Sequence, residues 1–134
     1  MRRGTTVKWN RIAMTFGAPI PILRSFDETK TKEFYLDFLG FALEFEHRFE
    51  PETPLYMGVK KGDCVLHLSE HFGDATPGAA LRIPVDNVTA YMEELRAKNY
   101  RHARPGVPEL QPWGSRDITI QDPSGNRLTF YSGA

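Results

Sequence analysis

The stretch QPWGSRDITIQDPSGNRLTF, residues 111–130, limits the folds open to this chain more than any other. Pro123 fixes its own φ and Gly125 tolerates positive φ, so Asp122–Asn126 reads as a tight turn between two strands, Asp117–Gln121 and Arg127–Tyr131. Trp113 stands just ahead of them in a Pro112-Trp113-Gly114 turn. The turn orders the closing strand, so the side chains of Arg127, Leu128, Thr129 and Phe130 are placed firmly. None of them is a carboxylate.

Upstream, two stretches share one plan. The first opens with the apolar run Ile20-Pro21-Ile22-Leu23, where proline restricts the strand to an edge or a start. Asp27, Thr29 and Thr31 offer caps for a helix with apolar positions Phe34, Tyr35, Phe38 and Leu39, and Gly40 ends it. Strands are expected at Phe41–His47, with period-two alternation, at Leu55–Val59, and at Val65–Ser69 after a Lys61-Gly62-Asp63 turn. The second stretch begins with strand Leu81–Val85. Asp86 or Asn87 then caps a helix striped by Val88, Tyr91, Met92 and Leu95, and strands follow near His102–Val107, Asp117–Gln121 and Arg127–Tyr131. Each half is β-α-β-β-β. Neither half has a core large enough to stand alone, so the halves are expected to pack through their sheets. The order argues an α+β fold with helices on the outer faces.

At 134 residues, 40% hydrophobic and 25% charged, the chain has the length and composition of one globular domain. We expect a basic extension over residues 1–16 and a single domain over 17–134, built from modules at about 18–73 and 79–132. No run approaches the roughly 20 apolar residues of a membrane span, and the opening MRRGTTVKWNR lacks the apolar core of an export signal. It reads as a frayed tail, or as the product of a start upstream of Met14. The lone Cys64 has no partner for an internal disulfide, which fits a reducing cytoplasm. Net charge is zero, but Arg2, Arg3, Lys8 and Arg11 precede Met14, leaving a body with a balance of −4. That balance argues against a nucleic-acid partner and suits a cationic small molecule.

Phe34-Tyr35, Leu39-Gly40-Phe41 and the turn Asp122-Pro123-Ser124-Gly125-Asn126 together resemble the vicinal oxygen chelate superfamily, which includes glyoxalase I, ring-cleaving dioxygenases and bleomycin resistance proteins. The resemblance covers about residues 18–132. It implies two βαβββ modules forming a curved, incomplete barrel around a cavity, in a dimer. Enzymes of that superfamily hold a divalent ion with His, Glu or Gln from four strands. The corresponding positions here fall on Ile20, His67, Ala80 and Thr129, of which only His67 can ligate. One imidazole does not hold a catalytic metal. The resemblance therefore implies no cofactor and no metal.

Within that superfamily the chain is most similar to the metal-free bleomycin resistance proteins, through Ile20-Pro21-Ile22-Leu23, Leu39-Gly40-Phe41 with Phe45, and Gln111-Pro112-Trp113-Gly114. These are dimers with an exchanged N-terminal strand, and they sequester the drug in crevices between subunits. The likeness implies Trp113 as one stacking wall, Tyr56 and Phe45 as the other, Glu44 as an acidic contact, and Pro21 as the mark of the exchanged strand. The implied function is capture of an aromatic, cationic antibiotic of the bleomycin family without turnover. The competing reading is a metal-dependent glyoxalase or dioxygenase using Glu70, His71 or Glu109. A third is an interaction partner with a vestigial cavity.

Each residue also has a plainer use. Trp113 either faces a ligand or caps the core with its indole. Phe45 on a strand is ordinarily core, Tyr56 needs a partner for its hydroxyl, and Glu44 suits a solvated strand. His67 lines the cavity or hydrogen-bonds within the core, and without a neighbouring carboxylate it makes a poor general base. His47, His71 and His102 form no motif with it, and nothing near Cys64 in sequence activates a thiolate.

Overall fold

The computed structural model describes residues 13–133. The basic residues Arg2, Arg3, Lys8 and Arg11 lie outside them. The chain folds as β1 (Ile22–Arg24), α1 (Glu28–Lys32), a π-helical segment (Glu33–Phe38), β2 (Ala42–His47), β3 (Tyr56–Lys61), β4 (Cys64–Ser69), β5 (Ala80–Pro84), α2 (Val88–Ala97), β6 (Glu109–Leu110), β7 (Ser115–Gln121) and β8 (Arg127–Gly133). Two four-stranded mixed sheets form, ordered β1-β4-β3-β2 and β5-β8-β7-β6. In each, the first strand lies parallel to the last and the others run antiparallel. The fold is α+β, in two β-α-β-β-β units whose sheets do not close into a barrel.

Asp27 caps α1 by accepting from the Lys30 amide at 2.9 Å, and Asn87 caps α2 by accepting from Ala90 at 3.0 Å. The first helix departs from the expected regular period. Leu39 N bonds to Phe34 O and Phe41 N to Tyr35 O, widening the turn before Gly40, whose φ is +87°. The wide turn lets Phe34, Tyr35 and Phe38 all be buried.

Core residues alternate along the strands: Leu23, Met57, Val59, Leu66 and Leu68 in one sheet, and Ile83, Ile118, Ile120, Leu128 and Phe130 in the other, joined in one cluster with the helix stripes. The halves meet differently from expectation. Side-chain contacts between them include Phe38 stacked on Tyr100, just past α2, at 4.7 Å, the Tyr91 hydroxyl donating to Leu39 O at 2.8 Å, and a tie from the first helical segment to the last turn. Phe34, Tyr35 and Phe38 are buried in this shared core, while on the other face of the first sheet Ile22 and Phe45 are 39% and 40% exposed.

Two further expectations are corrected. Residues 102–107 form no strand; Pro105 and Pro108 remove ladder donors there, and pairing begins only at Glu109. In β2 the alternation breaks, because the register slips between Leu43 and Phe45 and leaves Glu44 as the extra residue of a bulge.

Candidate functional site

That bulge builds the site. Leu43 pairs with Val59, whose side chain is core, while Phe45 pairs with Gly58 on the opposite, open face. Without the extra residue, Leu43 and Phe45 would share one face. Across the sheet, register places Ile22, His67, Gly58 and Phe45 in one row and Arg24, Ser69, Tyr56 and His47 in the next. Gly58 supplies the room: a Cβ there would run into the Phe45 ring. Phe45, 40% exposed, stacks on Tyr56 with centroids 6.1 Å apart and planes at 17°. His67 meets Phe45 edge-on at 5.2 Å, and its Nδ1 lies 2.7 Å from the Tyr56 hydroxyl. Burial is the main cause raising the Tyr56 pKa, so this hydroxyl keeps its proton. The face is an aromatic platform with an imidazole edge.

Trp113 belongs to the other sheet. Its ring, 67% exposed, touches neither Phe45 nor Tyr56 within the chain. Its Nε1 donates to Ser115 Oγ at 2.9 Å, Ser115 donates to Asp117 Oδ1 at 2.7 Å, and Arg82 Nη1 donates to Asp117 Oδ2 at 2.9 Å. The Arg82 guanidinium closes this circuit, lying 4.4 Å from the Tyr131 ring centroid and 5.8 Å from that of Trp113. The hydrogen bond from Arg82 is the largest cause holding the Asp117 carboxyl below its ordinary range. Thr119 and Thr129 share a 2.9 Å hydrogen bond on the adjoining row.

The structure thus brings Phe45, Tyr56 and His67 together on one face, leaves Trp113 apart from them, and adds Gly58, Arg24, Arg82, Asp117 and Tyr131, which the sequence reading did not name for the site. A signal for Arg82 existed: it alternates with Leu81 and Ile83, so a charged side chain had to face away from the core. Glu44 is exposed on the bulge. Pro21 remains with its own sheet, its carbonyl accepting from His67 N at 3.0 Å.

A groove of about 1250 Å³ lies elsewhere, between the halves, lined by Pro21, Lys61, Cys64, Leu81, Tyr91 and Glu94 among others. Burial pushes the Cys64 thiol pKa up, which suppresses the thiolate.

The superfamily's metal does not fit these residues. Ile20, Ala80 and Thr129 offer no metal donor of the required kind, and the Tyr56 hydroxyl sits on one nitrogen of His67. Glu70 Oε1 accepts from the Leu55 amide at 2.9 Å, His71 packs on Phe49, and Glu109 stands on the other sheet. Among the described residues no group of three or more His, Cys, Asp or Glu is placed to hold an ion. No described helix is long and apolar enough to cross a membrane.

Two open β-α-β-β-β sheets around one helical core define the glyoxalase/bleomycin-resistance class of fold. The model of a family described as glyoxalase superfamily protein matches residues 6–133, and the chain belongs to that superfamily. No curated protein matches the chain. Among solved structures, it is similar to TnmS3, an antibiotic binding protein from Streptomyces sp. CB03234, at 25% identity over 91% of this chain and 100% of that one, with a TM-score of 0.72. It is also similar to the bleomycin-binding protein of Streptomyces verticillus, solved with copper(II)-bleomycin, at 29% identity over 91% and 100%, TM-score 0.68. A bleomycin-binding protein complexed with bleomycin shares the fold at 23% identity over 89% and 100%, TM-score 0.70.

Proposed function

We propose that this protein captures a planar aromatic antibiotic on the Phe45–Tyr56–His67 face and holds it without chemical change. The observation that carries the reading is the bare Gly58, over which the Phe45 ring lies on the sheet face away from the core. The ring so placed is 40% exposed on that face, where a planar ligand can reach it. A ring on one aromatic wall gains about 1–3 kcal/mol, and a second wall adds a comparable amount. The antibiotic binding named for TnmS3 and the bleomycin binding named for the Streptomyces verticillus protein support the reading.

The second wall would come from a partner copy, because Trp113 does not reach the platform within one chain. Both β1 and β5 are sheet edges, and Met14 and Phe16, 78% and 89% exposed, lie on an arm with no strand pairing that ends at Pro19 and Pro21. Exchange of that arm would join two copies and set Trp113 of one opposite Phe45 and Tyr56 of the other. Sedimentation of the full chain as a monomer at micromolar concentration would remove this part of the reading.

Titration with bleomycin, and with 2-naphthamide as a neutral probe of stacking alone, tests capture, followed by calorimetry and mass spectrometry of the recovered compound. The expected result is saturable binding that weakens in Phe45→Ala, with ligand mass unchanged. Absence of saturable binding by either compound, or recovery of an altered ligand, overturns it.

A further inference from the structure

Arg24 stands on the platform face without a carboxylate partner among the described residues. Leu23 beside it is core, so strand alternation turns Arg24 to the open face, in the row it shares with Ser69, Tyr56 and His47. Its guanidinium lies 4.9 Å from the centre of the Phe26 ring, and its Nη1 is buried with no hydrogen-bond partner among the described residues. No carboxylate of the described residues pairs with it, whereas Arg82 has Asp117 and Arg48 has Glu28. Burying an uncompensated guanidinium nitrogen costs free energy that an arriving anion recovers.

The rest of the face points the same way. Lys60, in register with Val65 on the same face, adds a second positive charge. Two acids near this face keep their charge but are each held by a neutral donor: Asp74 Oδ2 accepts from Ser69 Oγ at 2.7 Å, its charge adding to the rise in the Tyr56 pKa, and Glu70 Oε1 accepts from the Leu55 amide. On the second sheet Asp117 is already neutralised by Arg82. Glu44, the acid expected to meet a cationic tail, is one exposed residue on a bulge. Arg24 and Tyr56 lie two interstrand spacings apart, roughly 10 Å between Cα atoms, and the arginine side chain reaches inward over part of that span. A fused bicycle with an acid at one end bridges the remainder.

We propose that the ligand taken on this face is a planar aromatic bearing a carboxylate or equivalent oxyanion, its ring on Phe45 and Tyr56 and its anion on the Arg24 guanidinium. The proposal rests on the aromatic-capture reading and selects within it, against the cationic ligand that the superfamily resemblance implies. The planar fork of the guanidinium matches a carboxylate with two parallel hydrogen bonds.

Three probes with one ring system separate the possibilities: 2-naphthoate, 2-naphthamide and 2-naphthylmethylammonium, each titrated calorimetrically into the full chain. Naphthoate is expected to bind about tenfold or more tighter than the amide, and the ammonium weakest. Arg24→Gln should bring naphthoate down to the amide's affinity and leave the amide unchanged, and Arg24→Lys should restore part of the difference. Equal binding of all three in the wild type, or tightest binding of the ammonium, overturns the anion assignment and leaves aromatic capture standing. Binding of none overturns both. The wild-type series decides the matter even where Arg24→Gln fails to fold, which its thermal melt reveals.

Discussion

The Tyr35 hydroxyl donates to Asp122 Oδ2 across 2.7 Å, tying the π-helical segment of the first half to the last turn of the second. Asp122 also accepts from the amides of Ser124 and Asn126 and from Asn126 Nδ2, and Asn126 Nδ2 donates in addition to Arg24 O. Tyr35 and Asn126 are fully buried. The turn that closes the chain is therefore also the clamp that seats β1, and with it the Arg24 side of the platform.

Removing the clamp should loosen the whole domain. Tyr35→Phe is expected to cost about 1–3 kcal/mol, since Asp122 keeps its other donors, and Asp122→Ala should cost more by stranding several amides together. Urea denaturation measures both. Equal stability of Asp122→Ala and wild type would show that the turn is held by its backbone alone.

Alkaline pH should destabilise the fold. Burial, with Asp122 beside it, raises the Tyr35 pKa well above 10.0, and burial with a hydrogen bond to Glu33 pushes Tyr100 up to about 12. Above the ordinary tyrosine pKa the unfolded chain loses protons that the folded chain keeps, so stability present below about pH 10 falls as pH rises. Urea midpoints at about pH 9 and about pH 11 test this, and Tyr35→Phe should flatten the decline. A midpoint that holds or rises would contradict it.

Trp113→Ala separates the two uses of the indole. A ring that is 67% exposed and bonded only through Nε1 to Ser115 contributes little to the core, so unfolding free energy should move by no more than ~0.5 kcal/mol. Affinity for an aromatic ligand should drop about tenfold with the loss of one wall. An insoluble or strongly destabilised variant would restore the core-capping role.

Gly58→Ala tests the platform from beneath. The added methyl meets the Phe45 ring and has to push it off the sheet, at an expected cost of about 1–3 kcal/mol. The stacking of Phe45 on Tyr56 should open, with weaker ligand binding as the readout. Wild-type affinity in this variant would show that the ring's position over Gly58 is irrelevant to binding.

Much of the fold was legible because its signals are local. Asp27 and Asn87 are caps by their own side-chain chemistry, the stripe Val88–Tyr91–Met92–Leu95 is a helix face by spacing, and Asp122–Asn126 is a turn by its proline and glycine. The expected strand at 102–107 failed because Pro105 and Pro108 outweigh the apolar residues around them. The bulge at Glu44 escaped notice because a register slip depends on the partner strand, and no pattern within ALEFEH marks it.

From sequence alone followed the two-unit α+β plan, through residue type and spacing, and, through the resemblance that marks four ligand positions, the poverty of metal donors at them. Only the tertiary structure decided which side chains face one another. Phe45 reaches Tyr56 and His67 through a bulge on another strand's register, Trp113 is drawn to Arg82 rather than to them, and Arg24 has no carboxylate partner among the described residues. Pairing across a sheet joins residues far apart in the chain, and a single added residue reverses every face beyond it.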